Sequence, residues 1–231
     1  MEPRTFNILR LKRKLSGPLI TYVKSDFDEA ALTQLVQNPC RLSESGEYSV
    51  FSCLHEGKEI NFMGTGSGPA SLLTGLFEVL SSNLSTMVRI GACGGLNETG
   101  LGEIIISDKS TCMDKISFLL AKDEQVLADP KLVHQISNTF RNDGISARID
   151  HVASVDAMYM FEAELDRAEK NGARCWDLET STLLAFGKRF GIRAVSILEV
   201  VSDKNGVASE TYPPIQHLRF VRSIIASLSN G

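Results

Sequence analysis

The 231-residue chain has no apolar run approaching the roughly 18 residues that a membrane-spanning helix requires, so no span is expected. Its opening, M-E-P-R-T-F, lacks the apolar centre of a secretion signal, and a cytoplasmic location is the expectation. Positive charge is not in excess. The 24 Lys and Arg against 28 Asp and Glu leave a net charge of −4, where a nucleic-acid binder needs a basic face. The single basic cluster, 10–14, is short and reads as a solvated face or turn. Cysteines are few and scattered: Cys40, Cys53, Cys93, Cys112 and Cys175 form no C-x-x-C pair. Reduced thiols are expected, rather than a disulfide framework or a zinc site. Cys93 has no histidine near it in sequence and reads as a small packed residue rather than a nucleophile. Internal repeats, low-complexity stretches and linkers are also missing, which leaves one domain over 1–231.

Apolar residues make up 43% of the chain, enough for a sizeable core. Strands are expected at 18–23, 48–54, 59–63, 87–90, 103–107, 145–155 and 193–201. The 48–54 and 59–63 runs bracket H-E-G-K and read as a hairpin. Helices are expected at 26–37, 70–80, 130–141, 162–171, 178–190 and 215–228. Alternation of the two types predicts one α/β domain with a central sheet.

The most informative stretch is V-R-I-G-A-C-G-G-L, 88–96. An apolar run carries Arg89 and then breaks at Gly91, Gly94 and Gly95. Burying an arginine at a strand end costs free energy unless an anion or an acid compensates it. Glycines let backbone N–H groups come close to a ligand. Together they suit an oxyanion such as phosphate. Pairing of Arg89 with a local carboxylate is the alternative, and the segment alone leaves both open. G-T-G-S-G-P-A-S, 64–71, leads into the 70–80 helix and reads either as an anion or ribose cradle or as a plain turn. Two acids stand at element ends. Asp203 follows the apolar run 195–201, where α/β proteins commonly contact ligands, and Glu179 opens the 178–190 helix after W-D-L. The alternatives are a turn cap at Asp203 and a helix-terminal charge at Glu179.

With these features in this order, the sequence resembles the nucleoside phosphorylase family, which includes the trimeric or hexameric purine nucleoside phosphorylases and the uridine phosphorylases. The matching segments are 64–71, 88–96 with G-E-I-I-I-S-D (102–108), W-D-L-E-T-S-T-L-L (176–184) and V-V-S-D-K (200–204). F-N-I-L-R-L-K-R-K-L-S-G (6–17) matches weakly. The resemblance implies a single α/β domain with a central mixed, twisted β-sheet flanked by helices. It implies cleavage of a nucleoside at C1′ through an oxocarbenium-like centre, with inorganic phosphate as co-substrate and no other cofactor. It implies a homo-oligomer, either a dimer or a hexamer built from dimers. Arg89 would bind phosphate, and Glu179 would accept from the ribose 2′-hydroxyl. Met158 and Tyr159 would flank base and sugar, and Gly66 would lie close to sugar or phosphate. Leu178 and Ala92 complete the substrate-binding set in the matching segments. Asp203 matches the acid that protonates or hydrogen-bonds the leaving base in purine members, so a purine is favoured over uridine.

Several positions depart from the family pattern. Its first phosphate loop reads G-D-P-x-R, and here the stretch is S-D-F-D-E, 25–29, with Glu29 in place of the arginine. A second arginine, supplied across a dimer interface in relatives, matches Gly46, with Arg41 nearby out of register. The hydroxyl residue after R-I-G is Ala92, and a histidine that reaches a neighbouring subunit's site is Asn7. The uracil-binding Gln and Arg match Glu162 and Glu164. A carboxylate in a phosphate loop replaces attraction with repulsion. Three readings follow: a phosphorylase, in which Glu29 points away from the anion or is neutralised by a neighbour, Lys24 being nearest in sequence; a hydrolytic nucleosidase with Glu29 as the general base; and a non-catalytic nucleoside binder.

Overall fold

The structure is a computed structural model that describes residues 7–158, 162–203 and 218–230. Along the chain it runs β1 (Ser16–Val23), α1 (Glu29–Gln34), β2 (Gln37–Ser45), β3 (Tyr48–His55), β4 (Lys58–Thr65) and α2 (Pro69–Val79). Next come β5 (Asn83–Gly95), β6 (Ile104–Cys112), α3 (Lys115–Ala121), β7 (Gln125–Leu127), α4 (Pro130–Asn142) and β8 (Arg148–Ser154). The rest is α5 (Glu162–Lys170), β9 (Cys175–Asp177), α6 (Thr180–Phe190), β10 (Arg193–Ser202) and α7 (Leu218–Asn230).

The sheet is mixed and ordered β10-β6-β8-β9-β5-β1-β4-β3-β2, with β7 on β6. β10 also pairs with β5, which closes β5, β10, β6, β8 and β9 into a ring. β5 is the hub. It runs parallel to β1 over its first part, parallel to β10 from Thr86 to Gly94, and antiparallel to β9 at Gly94 and Gly95. Its length, 13 residues, is what lets it serve three neighbours. Strands this buried read as near-continuous apolar runs, and β1, β5 and β10 do. α6 packs on α2 and α3 and on the ring strands, while α4 packs against α7. The core includes Phe51 stacked on Phe62 with centroids 4.6 Å apart. The expected α/β class and mixed, helix-flanked sheet are therefore found.

Several local expectations need correction. The 26–37 helix shrinks to α1, capped by Asp28, whose side chain accepts from Ala30 N–H. The following residues form β2 instead, a mostly exposed strand at the end of the sheet order. Its polar sequence and Pro39 hid it, and an edge strand with irregular register tolerates both. The three-residue strands β7 and β9 and helix α3 were also not anticipated. The run 88–96 does not break at its glycines, because β5 continues through them to Gly95. The 145–155 strand begins only at Arg148. The closing helix is described from Leu218 onward.

Candidate active site

β5 sets Arg89 inside the sheet, with Thr21 of β1 and Ser196 of β10 as its register partners. The residue is only 2% exposed. Its guanidinium meets Glu179 through Nη2, and its Nη1 lies 3.3 Å from Asp177 Oδ2. Nη1 still has no hydrogen-bond partner among the described residues. Gly91 is required here, because a Cβ at this position would run into the Arg89 guanidinium. Gly94 clears the Trp176 indole in the same way. Gly91 and Gly94 thus make room for packed side chains, and Gly95 for the Thr99 backbone carbonyl. Of the two readings of Arg89, pairing with carboxylates of its own chain is what the geometry shows.

Those carboxylates are fixed by short-range chemistry of their own. Asp177 ends β9 and caps α6: it accepts from Thr180 N–H at 3.1 Å, Thr180 Oγ1 at 2.6 Å and Ser154 Oγ at 2.6 Å. Glu179 stands just before α6 but makes no side-chain capping bond to it. Its Oε1 accepts instead from Gly68 N–H at 2.6 Å, and its Oε2 holds Arg89. Gly68 is the N-cap of α2 with φ 95°, a backbone conformation suited to glycine. The 64–71 loop therefore cradles an anion, and that anion is Glu179. A carboxylate there also complements the positive end of the α2 dipole. Burial pushes the Glu179 carboxyl above its ordinary range, and Arg89 only partly offsets this. Burial alone would lower the Arg89 guanidinium. Glu179, Asp177 and Asp26 outweigh burial and hold it above its ordinary value.

A cavity of about 170 Å³ opens on this cluster, with room for a sugar ring or a phosphate. Arg89, Asp177 and Glu179 line it together with Asp26, which follows β1. Ala92, Cys93 and Trp176 contribute further wall, Ser67 lines it just before α2, and Val201 and Ser202 line it at the end of β10. These positions gather at the exits of β1, β4 and β10, where α/β sheets hold ligands. A larger hollow of about 320 Å³ lies at the other end of the same strands, lined by Gly17, Thr86 and Arg193. The buried arginine and its acids are not part of it.

Of the residues singled out from sequence, Arg89, Ala92, Met158, Leu178 and Glu179 line the cavity. Gly66 does not; a Cβ there would strike the Glu47 carboxylate. Asp203 lies one residue beyond β10, next to the lining residue Ser202. Tyr159 falls outside the described residues. Asp26, Trp176 and Asp177 were missed. W-D-L-E carried a signal for Asp177, an acid just before a helix start and two residues from Glu179.

Glu29 opens α1 and is not a cavity-lining residue. Its carboxylate accepts from the Tyr22 hydroxyl at 2.9 Å and pairs with Arg41 of β2, so Arg41 rather than Lys24 neutralises it. Burial would raise the Glu29 carboxyl, but bonds from Ser49, Tyr22 and Arg41 hold it below its ordinary value. A depressed carboxyl adds stability above its unfolded pKa, and that stability is lost as pH falls through the folded pKa. Glu29→Gln is therefore expected to preserve turnover. It should lower the melting temperature at neutral pH by an amount equivalent to about 1 kcal/mol or less, and the deficit should vanish in acid. Melting curves across pH, run beside the turnover assay, check both parts. Abolished turnover would return Glu29 to the chemistry.

The family profile of the phosphorylase superfamily matches residues 23–224, and the chain belongs to that superfamily. Its relatives include the purine nucleoside phosphorylase DeoD-type of Bacillus subtilis, 26% identical over 186 residues that cover 78% of each chain. The protein of the same name from Bacillus velezensis is 25% identical, covering 78% of this chain and 79% of that one. That from Shewanella amazonensis is 27% identical over 183 residues, 77% of each. Among the described residues, no helix is long and apolar enough to cross a membrane.

Proposed function

We propose that the chain cleaves the N-glycosidic bond of a purine ribonucleoside and transfers the ribosyl group to phosphate, giving free base and ribose 1-phosphate. The observation that carries this reading is the buried Arg89–Glu179 pair on the cavity wall, with Glu179 pinned by Gly68 N–H. Each carboxylate oxygen has two lone pairs, and each oxygen of Glu179 uses one within the chain. A ribose 2′-hydroxyl can donate to what remains. Three acids around the cavity favour the positive charge that builds on an oxocarbenium-like ribosyl centre. Arg89 is the contact for phosphate, and the names of the relatives support a purine. The working form is a homo-oligomer, as the family resemblance implies.

One observation favours a second reading, hydrolysis. Arg89 is the only cationic side chain among the described cavity-lining residues, and three carboxylates line the cavity with it. Water needs no second cation, whereas a phosphate dianion is ordinarily held by several charge-assisted bonds.

The test is base release from inosine, adenosine, uridine and 2′-deoxyinosine, each with and without phosphate. The expected result is purine release that requires phosphate, with 2′-deoxyinosine much slower than inosine. Glu179→Ala should remove most of that gap, because the acceptor for the hydroxyl is gone. Equal rates without phosphate would select hydrolysis. Binding with no base release under either condition would overturn the enzymatic reading.

A further inference from the structure

The hollow of about 320 Å³ at the far end of the sheet from Arg89 has no part in the chemistry so far. It forms where the parallel strands β1, β4, β5 and β10 begin, and α4 and α7 close it with Gln135 and Leu228. The local sequence keeps these strand starts apart. The register between β1 and β5 slips at Gly17 and Pro18, so Leu84 and Thr86 find partners in β1 and Ser85 finds none. β10 pairs with β5 only from Thr86 onward, so Ser85 has no partner on that side either. Pro18 brings no N–H with which to close the slip. Gly17 takes φ 82°, and a Cβ there would stand 2.7 Å from the Glu59 carbonyl oxygen. Asn61 Nδ2 donates to Ser16 O at 2.6 Å and to Pro18 O at 3.1 Å, which pins the irregular start in place.

The hollow is cationic on a chain whose net charge is −4. Lys58 and Arg193 line it, and neither forms an ion pair among the described residues. Arg193 gives Nη2 to Thr86 Oγ1 at 2.9 Å and keeps its other N–H groups. Glu59 is the one carboxylate on the described wall, and both its oxygens are taken. Arg13, from the basic cluster 10–14, pairs with one, and Ser16 Oγ donates to the other at 2.9 Å. Asp123 and Asp129, which share an adjoining hollow with Arg193, are engaged by Lys188 and by the Leu132 N–H. The hydroxyls of Ser16, Ser85 and Thr86 and the Gln135 amide complete a polar lining, and the described wall carries no aromatic ring.

We infer that this hollow binds a sugar phosphate, with Lys58 and Arg193 holding the phosphate and the hydroxyl and amide groups holding the sugar. Guanidinium and ammonium groups without a carboxylate partner are the donors that suit phosphate oxygens. Hydroxyls and an amide both donate and accept, which matches a polyhydroxylated ring. A nucleobase would find no ring to stack on. The volume falls in the range of small-molecule pockets.

The test is a calorimetric titration of ribose 5-phosphate into the unsubstituted protein and into Lys58→Gln, Arg193→Gln and Glu179→Ala, the last altered in the other cavity. Saturable binding is expected, weakened at least roughly tenfold by the loss of either cation and unchanged in Glu179→Ala. Lys58 and Arg193 are exposed, so their variants should keep the fold, and melting curves check this. Arg193→Lys, which keeps the charge, serves as the second variant should the loss of the Thr86 bond disturb the strand start, and it should bind more tightly than Arg193→Gln. Inorganic phosphate, titrated in parallel, is expected to bind at least roughly tenfold more weakly than the sugar phosphate. Equal affinity would leave a bare anion site and overturn the sugar assignment. No saturable binding at millimolar ribose 5-phosphate, or binding that survives both cation substitutions, overturns the inference. Binding that only Glu179→Ala removes does so too, because it places the ligand in the Arg89 cavity. The two cavities are separate, so failure of the protein to cleave any nucleoside overturns the proposed function and leaves this site standing.

Discussion

Arg89→Met is expected to lower the melting temperature by roughly 6–20 °C and to abolish turnover. The stability loss follows from the cluster. Removing one member of a buried ion pair costs about 3–5 kcal/mol, because the partner is left charged and uncompensated. Here two paired carboxylates, Asp177 and Glu179, and the nearby Asp26 lose the same cation. In a chain of this size each kcal/mol moves the midpoint by about 2–4 °C. Two further results follow from the same electrostatics. Without Arg89, burial drives the Glu179 carboxyl further up, so the folded state binds more protons than the unfolded state there. The variant should then gain stability as pH falls toward the raised folded pKa. The double substitution Arg89→Met, Glu179→Gln removes one stranded charge and should recover part of the lost midpoint without restoring turnover. Calorimetric melts of the single and double variants across pH decide this. A single variant that melts with the unsubstituted protein would show that Arg89 does not hold the acids together.

The elements that could be read from sequence were the ones whose information is local. The apolar runs at 18–23 and 193–201, the hairpin around His55–Lys58 and the 70–80 helix are close to β1, β10, β3–β4 and α2. Closure of the ring was not legible, since the β5–β10 and β5–β9 pairings join residues far apart in the chain and each strand contributes only ordinary apolar residues. β2 escaped because an exposed edge strand need not alternate. The glycines of 91–95 carried a true signal with a different cause: the Arg89 and Trp176 side chains press against Gly91 and Gly94 and the Thr99 backbone against Gly95, so they serve packing along β5. Glu179 shows the same limit. A helix-terminal charge was one reading, but the helix it complements is α2, whose Gly68 precedes it by 111 positions. Arg89 was legible as a charge in an apolar run, and Glu179 as an acid opening an apolar helix. Asp26 was not singled out, because in the 25–29 stretch matched to the phosphate loop only Glu29 stood out, as the acid that replaces a cation.

Asp203→Asn is expected to cut purine nucleoside turnover by about 10²–10⁴-fold, the usual worth of a positioned proton donor. The melting temperature should stay close to that of the unsubstituted protein. β10 is buried from Ala194 to Leu198 and again at Val200, and Val201 and Ser202 then turn half-exposed where they line the cavity. Asp203 is the next residue, half-buried and past the last strand pairing, outside the apolar core. Asparagine keeps the shape and can still donate a hydrogen bond, but it cannot deliver a proton. The two roles can therefore be separated with a substrate whose base needs no proton. A purine nucleoside alkylated at N7 already carries the positive charge that protonation would supply, so Asp203→Asn should cleave it at nearly the unsubstituted rate while remaining slow on inosine. If the variant is equally slow on both, Asp203 positions the base or the strand end rather than supplying a proton. If it is fast on both, Asp203 lies outside the reaction, and the leaving base takes its proton from water.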